Sequence, residues 1–240
     1  NPPERRVERL REFWRLVSSG FGQIPPPPSA LLRSAYNRAS ALRAALFGVP
    51  GFFTPRLAPQ LSVYDTSPLR STLERLVDFE RINAREIRFS VGAVNVATGN
   101  SLYFDNGSQA IGVEHVLASG ALPPGLPPVE IDGALYWDGG IVSNTPLQYV
   151  LDDKPRANTL VMQVDLFSAR GMVPFDLAGV MKRQKEIAYS SRTRYNTDSL
   201  LGAQRMRQAI DRLVAKLPRE LQDDPDVRQL RNCADPTTID

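Results

Sequence analysis

"LYWDGGIVSNTPL", residues 135–147, sets a carboxylate, Asp138, directly after two aromatic residues and directly before Gly139 and Gly140. Asp132-Gly133 is a turn signal, and Ala134–Trp137 after it reads as an apolar strand that ends at Asp138. Asn144 or Thr145 with Pro146 then starts a helix. An acid at a strand end, followed by two permissive residues, has two readings. One is a tight turn with a capping aspartate, which Asp-Gly forms readily. The other is a catalytic loop, in which the glycines allow a sharp turn and close approach of a substrate. The tripeptide alone favours the plain turn, so the surrounding chain has to decide.

Working outward, "IRFSVGAVNVATGNSLYFDNG" predicts two antiparallel strands, about 87–96 and 100–105, joined by the "ATGN" turn. Arg88, Ser90, Gly92 and Ala93 interrupt its run of β-formers. "IGVEHVLASGALPPGLPPV" predicts a short helix and then a Pro-rich loop. "NTLVMQVDLF", 158–167, is the best candidate for a fully buried central strand. Upstream, Pro2-Pro3-Glu4 starts a helix with Val7, Leu10, Trp14 and Val17 on one face, ending near Gly20. "IPPPPS" is a stiff connector. A second helix spans about 29–47, with Leu32, Ala35, Ala39, Leu42 and Leu46 on its inner side. "FGVPGFFTPRLAP", 47–59, is too rich in Gly and Pro for regular structure, yet carries Phe47, Phe52 and Phe53. Ser67-Pro68 opens a short helix with Leu69, Leu73, Leu76 and Val77 facing inward. From Asp176 to Leu217 the pattern is helical and basic. Helices and strands interleave, which predicts an α/β layered fold, and no internal repeat is present.

The 240 residues suffice for one large domain or two small ones with a well-buried core. The single cysteine, Cys233, rules out an internal disulfide framework and is compatible with a reducing compartment. No uncharged run is fit to span a bilayer, since Val17–Leu32 contains four consecutive prolines. The net charge is +3 and nearly all basic residues are arginine, but arginines alternate with acids through most of the chain. "ERRVERLREF" is the solvated face of a helix, and no nucleic-acid-binding motif accompanies the charge. Nucleic acid is therefore set aside as a partner; anionic lipid headgroups suit a mildly basic surface better.

The lone histidine, His115, lies in an amphipathic stretch and reads as structural, which argues against a Ser-His-Asp triad. No cluster of metal ligands, no GxGxxG or GxxxxGK[ST] phosphate loop and no GxSxG elbow is present. Asp138 remains. A carboxylate at a strand end acts as general base for a serine hydroxyl without an intervening histidine, provided the two are within hydrogen-bond reach.

The longer segment "ASGALPPGLPPVEIDGALYWDGGIVSNTPL", 118–147, resembles the patatin-like phospholipases. Asp138, Gly139 and Gly140 match that family's second catalytic motif, and Ala118-Ser119, Pro127, Asn144 and Pro146 match its surroundings. "FGVPGFFTPR", "SVYDTSPLR" and "SVGAVNVATG" are similar to a bacterial subgroup in which the core is followed by a C-terminal region of unknown function. The resemblance implies a three-layer α/β/α sandwich around a mostly parallel sheet, with residues 1–175 in the hydrolase core and 176–240 in a helical extension. It implies a lipid acyl hydrolase working through a Ser-Asp dyad, with Asp138 as base and no cofactor or metal. The substrate is then a lipid or other acyl ester, and the location cytoplasmic, with peripheral membrane contact. Phe47, Phe52 and Phe53 either line an acyl groove or belong to the core. The family's oxyanion loop and GxSxG serine are absent here. A segment like "NPPERRVERLREFW" follows the elbow helix in family members, so the chain is expected to begin just after the elbow. Two rivals stand beside this reading: a non-catalytic binding or regulatory module on the same scaffold, and an esterase acting on a non-phospholipid ester.

Overall fold

The computed structural model describes residues 1–18, 27–56, 61–151, 160–222 and 224–233, which form two compact units, Asn1–Val142 and Ser143–Asp240. The first half of the "IPPPPS" connector, residues 24–26, lies outside the described residues.

In the first unit, Pro3–Arg5 form one 3-10 turn that leads into α1, Arg6–Val17. A proline tolerates this position because the first N–H groups of a helix lack intrahelical acceptors. The face expected to be buried is the exposed one: Val7, Leu10 and Trp14 lie in solvent. Phe13 makes the packing contact instead, against the cluster of Leu73, Val113 and Leu117. The same correction applies to α2, Ala30–Phe47. Leu32, Ala35, Ala39, Leu42 and Leu46 are exposed, and Ser40 is buried. A helical repeat reveals that an apolar stripe exists, not which neighbour covers it.

The stretch after α2 is more ordered than its composition suggests. Val49 is buried and bridges to Phe53, and β1, Thr54–Pro55, pairs antiparallel with β2, Tyr64–Asp65. Gly48 makes this possible. It has φ +76°, and a Cβ there would run into the Phe53 carbonyl. α3, Ser67–Leu76, buries Leu73 and Leu76, with Leu69 and Val77 packed alongside as the sequence indicated. α4, Phe79–Asn83, is capped by Asp78, which accepts a hydrogen bond from the Arg81 N–H at 2.9 Å.

The sheet that carries the site contains β3, Ser90–Asn95, β4, Ser101–Asp105, β5, Val129–Ile131, and β6, Ala134–Asp138, in the order β4-β3-β6-β5. Helix α5, Val113–Ser119, packs on it. The mixed α/β class is the one expected. The sheet differs from the expectation of a mostly parallel one, because every described strand pairing is antiparallel. Connection length explains this: β3 and β4, and likewise β5 and β6, are joined by tight turns, and only antiparallel neighbours can be linked so briefly. In the first turn the Asn95 side chain accepts from the N–H groups of Ala97 and Thr98. In the second, Asp132 and Gly133 have φ of +50° and +78°, as a two-residue hairpin turn requires. β5 is not among the expected strands: its first residue, Val129, ends the stretch that reads as a proline-rich loop.

The core beneath the sheet is Ala93, Phe104, Ile111, Ala118 and Ile131. His115 is buried in it. Its Nδ1 accepts from the Gly112 N–H, its Nε2 meets the Gln109 amide, and its ring meets Phe104 edge-on.

The second unit holds α6, Leu147–Leu151, the long α7, Leu177–Val214, then α8, Arg219–Gln222, and α9, Pro225–Cys233. Asp176 caps α7 through the Gly179 N–H. Thr145 Oγ1 meets Thr193 Oγ1 at 3.1 Å in a buried contact that ties the lead-in of α6 to α7. The expected central strand is not found in its described part. Residues 160–166 form no helix or strand and have no ladder partner among the described residues, and Leu160, Met162, Val164 and Leu166 are open to solvent, Met162 at 86%. A β-rich apolar run becomes a strand only where a neighbouring strand satisfies its backbone. The segment just after it is held to α7 by Phe167 stacked on Tyr189 and by Arg183 donating to the carbonyls of Ser168 and Ala169.

Candidate active site around Asp138

Asp138 is the last residue of β6 and pairs with Ala93 of the central strand β3. On its other side its N–H donates to the Ala121 carbonyl at 3.1 Å. The backbone at this position is therefore fixed from both flanks. The side chain is half-buried, and its Oδ1 accepts from the Gly140 N–H at 2.7 Å. Gly139–Ile141 form one 3-10 turn, so both glycines lie in an ordered turn directly after the acid.

The two glycines have different jobs. A Cβ on Gly139 would sit 2.6 Å from the Gly92 carbonyl carbon and 2.7 Å from its oxygen, so only glycine lets the turn cross β3. Gly140 supplies the N–H that orients the carboxylate. Gly92 takes part in this approach through its backbone; a Cβ on Gly92 itself would lie 3.2 Å from the ring of Tyr103, its cross-strand partner on β4. Sequence reasoning missed Gly92 and Ala121 as parts of the site. A glycine inside a strand was the available signal for Gly92, since it marks close backbone approach. Nothing local marks Ala121.

The three phenylalanines separate. Phe47 ends α2 and is 75% exposed. Phe52 and Phe53 are half-buried and meet edge to face at 5.1 Å, and Phe53 packs on Tyr64 at 4.4 Å. Their link to Asp138 runs through the proline-rich loop. The N–H groups of Val63 and Tyr64 donate to Pro124 and Gly125, and the same loop begins at Ala121, which holds the Asp138 backbone. Within the second unit, Asn144 and Pro146 line an apolar groove with Leu147, Val150, Val161 and Val164. Among the described residues no group of three or more His, Cys, Asp or Glu is placed to hold a metal ion, and no helix is long and apolar enough to cross a membrane.

The structure thus places at this strand end a half-buried carboxylate oriented by the backbone of a glycine turn. Comparison with known families supplies the class. A model described as patatin-like phospholipase matches residues 2–151, and a second, described as patatin phospholipase, matches residues 187–240. No curated protein matches the chain significantly. The chain belongs to the patatin-like phospholipase family, whose members are lipid acyl hydrolases.

Proposed function

We propose that the protein cleaves acyl esters of lipids, with Asp138 as general base of a serine–aspartate pair. The serine is supplied from outside these 240 residues, which contain no GxSxG. Asp138 takes the hydroxyl proton as the serine oxygen attacks the ester carbonyl. The proton passes to the departing alcohol, leaving an acyl-enzyme. Asp138 then accepts a proton from water as the water oxygen attacks the acyl carbonyl, the bond to the serine oxygen breaks, and Asp138 returns the proton to that oxygen, releasing the fatty acid and restoring the pair. The observation that carries this reading is the double anchoring of Asp138 at the end of β6, with Oδ1 oriented by Gly140. Such fixing is what a base needs, since its benefit depends on being held in reach of the proton. Phe47 serves the substrate's acyl chain, with Phe52 and Phe53 supporting the loop behind it, and the protein contacts the membrane peripherally.

One observation favours the non-catalytic alternative: the Asp138–Gly140 hydrogen bond is also what a turn cap makes. Asp138→Asn separates the two, because Asn keeps an oxygen for Gly140 and cannot serve as the base. In the full-length protein we expect ester hydrolysis to fall by roughly a hundred- to ten-thousandfold, with the thermal midpoint nearly unchanged. Equal turnover of variant and wild type would leave Asp138 as a cap alone. Release assays across phospholipid, neutral-lipid and short-chain esters identify the substrate class.

A further inference from the structure

We infer that α2 is an interfacial helix that docks the protein on an anionic lipid surface. Leu32, Ala35, Ala39, Leu42 and Leu46 recur at spacings of three and four and form one continuous stripe along it. All five are exposed, Leu42 at 61% and Leu46 at 59%, and Phe47 continues the apolar surface at the helix end. The helix is attached from its other side, where Ser40 is buried, Tyr36 and Ala44 are half-buried, and Tyr64 donates its hydroxyl to the Ala45 carbonyl. The stripe therefore faces outward from a helix already anchored behind.

Charge selects the occupant. Arg38 lies along one margin of the stripe and Arg43 along the other, and α2 contains no carboxylate. From Phe13 to Tyr64 there is no acidic residue at all, while Arg15, Arg33, Arg38, Arg43 and Arg56 fall in that span. A second copy of the helix is disfavoured. The stripe has the spacing of a coiled-coil seam, in which Arg38 and Arg43 take the two flanking positions. Parallel pairing would set Arg38 against Arg43, and antiparallel pairing would set each against itself. An apolar stripe bordered by arginine alone suits a membrane interface, where leucine enters the acyl boundary and arginine reaches the headgroup phosphates. The inference deepens the lipid-hydrolase reading by naming the element that holds the protein to its substrate's phase, but it does not depend on Asp138.

The test uses full-length protein and co-sedimentation with vesicles of phosphatidylcholine alone or mixed equally with phosphatidylglycerol. Wild type is expected to favour the mixed vesicles. Leu42→Ser with Leu46→Ser should weaken binding to them by roughly a hundredfold, about tenfold per leucine. Arg38→Glu should weaken it about thirtyfold, the effect of two charge units near the surface. Thermal midpoint, sedimentation coefficient and hydrolysis of a soluble short-chain ester should stay at wild-type values in these variants. Several results overturn the inference. Absence of wild-type binding, or equal binding by all forms, removes the docking role. A large fall in thermal midpoint in the leucine variant means another part of the protein covers the stripe. A change from dimer to monomer means a second copy does. If vesicle binding behaves as expected while no form hydrolyses any ester, the hydrolase reading fails and the docking helix stands.

Discussion

At the scale of the residue, the site rests on close contacts between backbones. The turn at Asp138, Gly139 and Gly140 was legible as a local pattern, an acid at a strand end followed by Gly-Gly, while its reading as a site came from the longer resemblance over 118–147. Gly92 and Ala121 were not, because their parts depend on which strand and which loop fold beside β6. Gly139 gives a prediction that Gly140 does not share. Gly139→Ala would place a methyl inside contact distance of the Gly92 backbone, and backbone has no flexible end to move aside. The expected loss of stability is about 1–3 kcal/mol, the usual range for forced overpacking, read from denaturant midpoints, and ester hydrolysis should fall with it because the turn carries Gly140. Full stability in Gly139→Ala would show that β3 and β6 separate more easily than their geometry implies. For Asp138 itself, replacing Asn with Ala at that position removes the oxygen that Gly140 uses. Asp138→Ala should therefore be less stable than Asp138→Asn by about 1 kcal/mol, as when a cap is lost, whereas both should be equally poor catalysts.

At the scale of the element, α1, α2, α3, α5, α7 and the β3–β4 hairpin were readable, whereas α4, α8, α9, β5 and the β1–β2 pair were not, and neither were the neighbours of the helices. The turns of both hairpins and the starts of α3, α6 and α7 carry their own chemistry, such as Asp132-Gly133, Ser67-Pro68 and Asp176. The buried faces of α1 and α2 and the pairing of 160–166 carry none, because they are decided by packing between distant segments. Gly133 isolates the local contribution. Its φ is +78° and nothing lies within 4 Å of where a Cβ would be, so Gly133→Ala meets no steric contact beyond its own backbone. The whole cost is then the left-handed conformation, about 1 kcal/mol. Thermal melting should show a drop of that size with activity at saturating substrate retained. A much larger drop would mean that the hairpin turn controls the placement of Asp138, five residues along β6.

At the scale of the molecule, the two units are built on different resources, and amide exchange should separate them. In the first, β3 lies between two antiparallel partners, and Ala93, Phe104, Ile111, Ala118 and Ile131 form a contiguous core under it. Opening its amides requires breaking ladders on both sides and exposing that core, so exchange there reports the most cooperative opening in the unit. In the second, residues 160–166 have no ladder partner among the described residues and expose Leu160, Met162, Val164 and Leu166. Their amides have no sheet to leave, and exchange needs no loss of buried surface. α7 stands between these extremes: its hydrogen bonds are intrahelical, but its buried positions are few and mostly polar, Ser190, Thr193, Gln204 and Val214. Native-state hydrogen exchange should therefore protect Ala93 and Val94 most, α7 less, and 160–166 least. The order matters for the site, because Asp138 pairs with Ala93 and so stands on the most protected strand. A base that must remain within reach of one hydroxyl needs such a footing. Strong protection of 160–166 in the full-length protein would show that this apolar segment finds a strand partner there. Weak protection of β3 would remove the rigid support on which the assignment of Asp138 rests.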